Sequence, residues 1–225
     1  MNKSILSLVF TIISITLAFA QTQDTTRSKT EIIASPIPIE AFSTDKGLLM
    51  QMTVAKKLQS NSKLGMFALT EYYADYNNEK EKHKYLIQTF LTYDLGKGFS
   101  IIGGGAINQA SGFRPTIGVQ YIYAKNDIFA LIIPRVDLTE TNNLEAFGFV
   151  EYTPKINEKL GIYTRVQGVY NHNPKDNLHD ISYIRLRAGL SYQNFQFGLG
   201  ANFAQYGPLK INENSYGIFV RALIF

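Results

Sequence analysis

The chain contains no cysteine and no tryptophan. Without thiols it has no disulfide framework, no thiolate zinc site, no thiol nucleophile and no cysteine to carry a lipid anchor. Charge is sparse too, at 18% of 225 residues, and 22 basic against 18 acidic side chains give a formal net charge of only +4. No basic run with interleaved aromatics accompanies that excess, so nucleic acid is not an expected partner. Long apolar runs are the third absence. Beyond residue 20 no window approaches 18 consecutive apolar residues, so no transmembrane helix is expected there. The length suits one domain.

Aromatic residues are abundant, with 14 Tyr and 15 Phe, and these residue types favour strands. Residues 1–20 read as a secretory signal peptide: Lys3, an apolar stretch over 5–17, then Ala18 and Ala20 before Gln21. The stretch is shorter than the roughly 20 residues a membrane anchor requires. Removing Lys3 leaves 21 basic against 18 acidic residues, a net charge of +3. Residues 21–30 are polar and aperiodic, as in a disordered periplasmic tail, and 31–225 form the remaining domain.

From about Leu48 onward the chain alternates with period two, the signature of strands. In 181–193 the even set Ile184, Leu186, Ala188, Leu190 and Tyr192 opposes Arg185, Arg187, Gly189, Ser191 and Gln193. In 195–205 Phe195, Phe197, Leu199, Ala201 and Phe203 oppose Gln196, Gly198, Gly200 and Asn202. The segments 113–123 and 159–170 sort as sharply. Segments 48–58, 85–95, 99–109, 128–138, 144–154 and 216–225 follow with less contrast, and 64–76 reads in either frame. Turn partners test the frames, because residues facing each other across a hairpin share a side. Tyr192 with Phe195, Leu95 with Phe99, and Tyr123 with Ile128 all agree.

Connections alternate between compact (59–63, 96–98, 124–127, 155–158, 193–194) and mostly longer polar ones (77–83, 139–142, 172–180, 207–214). That is the rhythm of periplasmic turns and external loops. Eleven strands can be counted, and an even number needs one more within 31–42, where Pro36 and Pro38 weaken pairing. The expected fold is an all-β, closed, antiparallel up-and-down transmembrane β-barrel of about 12 strands, with 10 as the fallback.

A soluble barrel or sandwich with the apolar face inward is the competing arrangement. A lumen is a poor home for four or five apolar residues from each of eleven strands, although two packed sheets could hold them. The tyrosines tilt the balance. Tyr85, Tyr93, Tyr121, Tyr123, Tyr152, Tyr170, Tyr192 and Tyr216 lie near strand ends on the apolar frame, as in the aromatic girdles at a lipid interface. Arg114, Arg135, Arg165, Arg185, Arg187 and Arg221 all take the other frame. An arginine in the lipid midplane costs about 2–4 kcal/mol, so these six are expected to line the lumen. Asp94, Asp137, Glu145, Glu151, Gln120, Gln167, Gln196 and Asn202 join them, with ion pairs expected between Glu145 or Glu151 and the arginines of neighbouring strands. Pro134 is expected at a bulge, and Phe129, Leu131 and Ile133 make part of the lumen apolar.

The final residues SYGIFVRALIF end on Phe225. Leader, strand meander and last aromatic strand together resemble the small outer-membrane β-barrel proteins of Gram-negative bacteria. The resemblance covers nearly the whole chain but is architectural. It implies a porin-like barrel in outer-membrane lipid after signal cleavage, with Phe225 as the signal read by the barrel-assembly machinery. One departure is that Arg221 shares parity with Phe219, Leu223 and Phe225, where that signal is usually apolar; Tyr216, Ile218, Val220, Ala222 and Ile224 take the lipid-facing frame.

Little reactive chemistry is legible. Gly103, Gly104 and Gly105 lack the GK[ST] of a phosphate loop and suit a close-packed or bulged strand. His83, His172 and His179 fall in or beside connections as solvated residues, and neither metal nor cofactor is expected. Outer-membrane phospholipase A, a twelve-stranded barrel with a His-x-Ser pair, is the enzymatic comparison. Here His179 and Ser182 are three apart, which places them on opposite faces of a regular strand; no enzyme is expected. Two functions remain: a narrow passive channel for small polar or anionic solutes, or a structural or accessory barrel of an envelope complex, plugged by its own ion pairs.

Overall fold

The structure, a computed structural model, describes residues 35–59 and 61–225. The expected signal peptide and 21–30 tail lie outside the described residues. Twelve strands follow in order: β1 (Ile37–Thr44), β2 (Gly47–Lys57), β3 (Leu64–Asp75), β4 (Lys84–Gly96), β5 (Phe99–Asn108), β6 (Gly112–Lys125), β7 (Ile128–Asp137), β8 (Leu144–Tyr152), β9 (Leu160–Asn173), β10 (Leu178–Tyr192), β11 (Phe195–Tyr206) and β12 (Ile211–Ile224). Each pairs antiparallel with its sequence neighbours, and β1 pairs with β12 to close the barrel. The strand expected within 31–42 therefore exists. It begins after Pro36, and Pro38 lies beyond the β1–β2 ladder, which starts at Ile39, so its missing N–H costs nothing there.

Alternation sets the two faces. Ile101, Ile117, Val166, Ile184, Leu199 and Ile218 are all more than half exposed on the outer wall, whereas their strand neighbours Ile102, Thr116, Arg165, Tyr183 and Phe219 are buried. The apolar frame thus points out, which removes the soluble arrangement with its apolar face inward. Of the eight strand-end tyrosines, seven are exposed, and Tyr121 is half-buried with its ring 4.7 Å from that of Phe99. The ambiguous β3 resolves with Phe67, Leu69 and Glu71 inside.

Three local expectations change. Pro134 sits in an unshifted register, opposite Ala146 on β8, with no bulge. Lacking an N–H, it instead interrupts the β6–β7 ladder between Gly118↔Arg135 and Tyr121↔Ile132. Segments 172–180 and 207–214 are not long loops: the ladders continue to Asn173↔Leu178 and Tyr206↔Ile211, leaving turns at 174–177 and 207–210. Above the tyrosines both faces of the wall carry polar residues, so alternation fades while backbone pairing persists. The hairpin over 124–127 likewise tightens to Lys125↔Ile128.

Real bulges occur elsewhere, at Asp94/Gly96 and at His179/Ile181. Among the three consecutive glycines, β5 runs on unbroken. A Cβ at Gly104 would lie 2.1 Å from the Thr89 carbonyl oxygen on β4, so close packing of strands explains that glycine.

Candidate functional site in the barrel interior

Charged side chains converge inside the barrel in three groups. On β6 to β8, Asp137 is fully buried and accepts from Arg114 Nη1 at 2.7 Å, Arg135 Nη1 at 2.9 Å and Thr116 Oγ1 at 2.7 Å. Arg135 also donates through Nη2 to Glu145 Oε1 at 2.6 Å, and Asn171 donates to the other oxygen of Glu145 at 2.8 Å. This carboxylate pair is saturated by its neighbours.

A second group spans the lumen. Arg185 on β10 donates from both terminal nitrogens to Glu71 on β3, at 2.6 and 3.0 Å. Gln51 on β2 donates to Gln167 on β9 at 3.1 Å, and Gln167 in turn donates to Tyr183 Oη at 3.1 Å. Arg165 joins through Gln167 Oε1 at 2.7 Å. β10 and β3, like β9 and β2, stand five places apart in the closed order of twelve, so these bonds cross the interior rather than run along its wall.

The third group lies towards the end where β1 begins. Arg187 donates to Glu40 Oε1 and Asn202 Oδ1, each at 3.0 Å, with its guanidinium 3.8 Å over the Phe42 ring. Arg221 donates to Tyr163 Oη at 2.5 Å and Gln196 Oε1 at 2.9 Å, and lies 2.9 Å from Glu151. Arg165 approaches the same carboxylate at 3.5 Å. At the closing β1–β12 pair, Glu40 stands directly opposite Arg221 and Phe42 opposite Phe219. That register puts Arg221 inside, while Phe225 beyond β12 is exposed.

Rings occupy the space between the groups. Phe67 on β3 lies 6.1 Å from both Phe90 on β4 and Phe147 on β8, and Phe147 lies 6.1 Å from Phe149. Leu69, Ile102, Leu131 and Ile133 complete this cluster, all nearly inaccessible to solvent. Arg165 lies 4.3 Å over Phe149 and Arg135 5.5 Å over Phe90, a favourable placement for a desolvated guanidinium.

All fourteen polar residues expected on the inner frame are buried or half-buried there; among them Asp94 pairs with Lys57 at 2.8 Å near the rim. Sequence reasoning missed Glu40, Glu71, Gln51, Gln88, Tyr163 and the rings of Phe67, Phe90 and Phe147, though it placed Phe129, Leu131 and Ile133 inside. Glu40 and Glu71 lay in segments whose frame was unassigned, and the aromatic cluster looks like lipid-facing material until its parity is known.

The histidines also differ from expectation. His172 and His179 do not share a loop but face each other across β9 and β10. His179 is buried and its Nε2 lies 3.0 Å from Ser182 Oγ, on the same face. The bulge after His179 adds one residue and cancels the parity that separates them. His83 remains in its connection, accepting from the Asp75 backbone N–H at 3.2 Å. Among the described residues no group of three or more acidic or histidine side chains could hold a metal ion.

A closed twelve-stranded antiparallel barrel with a charged interior is the architecture these observations define. No family model matches the chain, and no curated protein matches it. Solved structures are similar to it. The NanC porin is 14% identical over 85% of this chain and 100% of its own, with a TM-score of 0.50. The KdgM porin is 13% identical over 83% and 98%, with a TM-score of 0.44. LpxR from Salmonella typhimurium is 10% identical over 85% and 100%, with a TM-score of 0.45.

Proposed function

We propose that the protein is an outer-membrane β-barrel whose lumen is plugged by its own side chains and which acts as a structural or accessory barrel. The carrying observation is contact between opposed strands: Arg185 with Glu71, Gln51 with Gln167, and Phe67 with Phe147. Six guanidiniums meet the five carboxylates of Glu40, Glu71, Asp137, Glu145 and Glu151. Charge so balanced gives a passing anion little to follow. The membrane part of the reading rests on the apolar outer wall, far larger than the few hundred Å² a soluble monomer exposes. Outer-membrane lipid is then its solvent, reached after removal of residues 1–20, and Phe225 is the residue offered to the barrel-assembly machinery.

A second reading, a narrow passive channel for small polar solutes, is favoured by the fold shared with the NanC porin. Planar-bilayer recordings of the purified wild-type barrel separate the two. Silence at neutral pH supports the plug; steady single-channel steps support the channel and overturn the plug. The lipid-facing assignment has its own check. Val166, midway along β9 and more than half exposed, is expected to cost about 2–4 kcal/mol as Val166→Arg when folded into lipid vesicles. An unchanged urea midpoint would remove the belt.

A further inference from the structure

We infer that His179 and Ser182 form a nucleophilic pair on the outer wall that cleaves carboxylic esters of membrane amphiphiles. The tautomer is set by the surroundings. His179 Nδ1 lies 2.8 Å from the backbone carbonyl oxygen of Gly207, and a carbonyl can only accept, so Nδ1 carries the hydrogen. In the neutral ring that leaves the Nε2 lone pair facing the Ser182 hydroxyl at 3.0 Å. Nucleophile, base and a group orienting the base are the three parts that activate a serine. The backbone carbonyl takes the place of a carboxylate.

The arrangement depends on the bulge between His179 and Ile181; a regular strand would send the two side chains to opposite sides. Pairing defines which side they share. Ser182 stands directly opposite Tyr170 on β9 and Gln205 on β11, and Tyr170 is exposed on the outer wall. The pair therefore lies at the height of the strand-end tyrosines, where lipid meets water. Tyr170 also covers the imidazole, with ring centres 6.0 Å apart, and His179 is only 8% exposed. Gln205 stands beside Ser182 on the same face, its Nε2 donating to Asn212 Oδ1 at 3.1 Å.

Ser182 Oγ adds to the ester carbonyl carbon as its proton passes to His179 Nε2. The C–O bond to the alcohol then breaks, and His179 returns the proton to the departing alkoxide, leaving acyl-Ser182. Water, deprotonated by the same nitrogen, attacks the acyl carbon; its C–Oγ bond breaks, the acid leaves and Ser182 regains its proton.

The test uses the full-length barrel in micelles and in phospholipid vesicles, with a long-chain fluorophosphonate probe and p-nitrophenyl octanoate. The expected result is a covalent adduct mapped by peptide mass to Ser182. Ser182→Ala abolishes labelling and turnover, and His179→Asn lowers turnover by about 10³-fold or more. Heat-modifiable migration of each variant shows that the barrel is intact. A folded wild-type barrel that gives no adduct, or an adduct at another serine, overturns the proposal and leaves the pair as a clamp on the bulge. Either result leaves the plugged lumen untouched, since the pair stands outside it.

Discussion

Glu71→Ala is expected to lower the unfolding free energy by about 3–5 kcal/mol, because it strands the Arg185 guanidinium inside the barrel without its counter-ion. Glu71 holds that guanidinium with both carboxylate oxygens, at 2.6 and 3.0 Å, and is itself buried. The ring of Tyr183, 4.1 Å below Arg185, cannot replace a carboxylate. Removing both charges should cost far less. With Glu71→Leu and Arg185→Leu together, neither desolvated charge remains, and apolar side chains of similar volume refill the space. Urea-induced loss of strand circular dichroism in vesicles gives the numbers. A double variant as unstable as Glu71→Ala would show that the pair holds more than each other. The chain has no tryptophan, so tyrosine emission supplies a second probe.

Phe67→Ala combined with Phe147→Ala is expected to make the barrel conduct more than the wild type. These rings come from strands five apart in the closed order, and their centres lie 6.1 Å apart across the lumen. Each truncation costs about 3–5 kcal/mol as a buried phenylalanine, and because the rings neighbour one another the two costs will not simply add. The space they vacate lies beside Phe90 and Phe149, each covered by a guanidinium, and close to polar Gln88 and Glu145. A cavity with polar partners admits water, whereas a purely apolar one stays dry. Discrete steps in planar bilayers are the expected readout. A folded double variant that conducts no more than wild type would place the barrier elsewhere, with the Arg185 and Glu71 bridge the next element to remove.

How far the sequence reached can be seen strand by strand. In β10 and β11 both faces were legible because every outward position from Ile184 to Tyr192 and from Phe195 to Phe203 is apolar or small, while arginine, glutamine and glycine alternate with them. In β3 the two faces were indistinguishable. Phe67 and Leu69 point inward and Met66 and Tyr72 outward, so hydrophobicity carried no contrast and the frame came only from pairing with β2 and β4. Strand ends were misread for a related reason. Beyond the tyrosines polar residues on both faces are compatible with either loop or strand, and backbone hydrogen bonds continued the ladders of β9 and β10 to Asn173 and Leu178.

His179 and Ser182 mark another boundary. Counting by twos separated them correctly for an unbroken strand, but one bulged residue restored them to a common face. A bulge is a property of two paired strands, set by how many residues each spends between shared bonds. No pattern within one strand announces it.

Parity in the chain was sufficient to determine a strand-built barrel with its apolar side outward and its arginines turned away from it, because side chains of a strand alternate whatever the partner. Only the tertiary structure decided what those arginines do. Whether a guanidinium faces water or a carboxylate depends on which strand lies across the lumen. That is settled by closure, strand number and register together, and it brought Glu71 from β3 to Arg185 on β10 and Phe67 to Phe147.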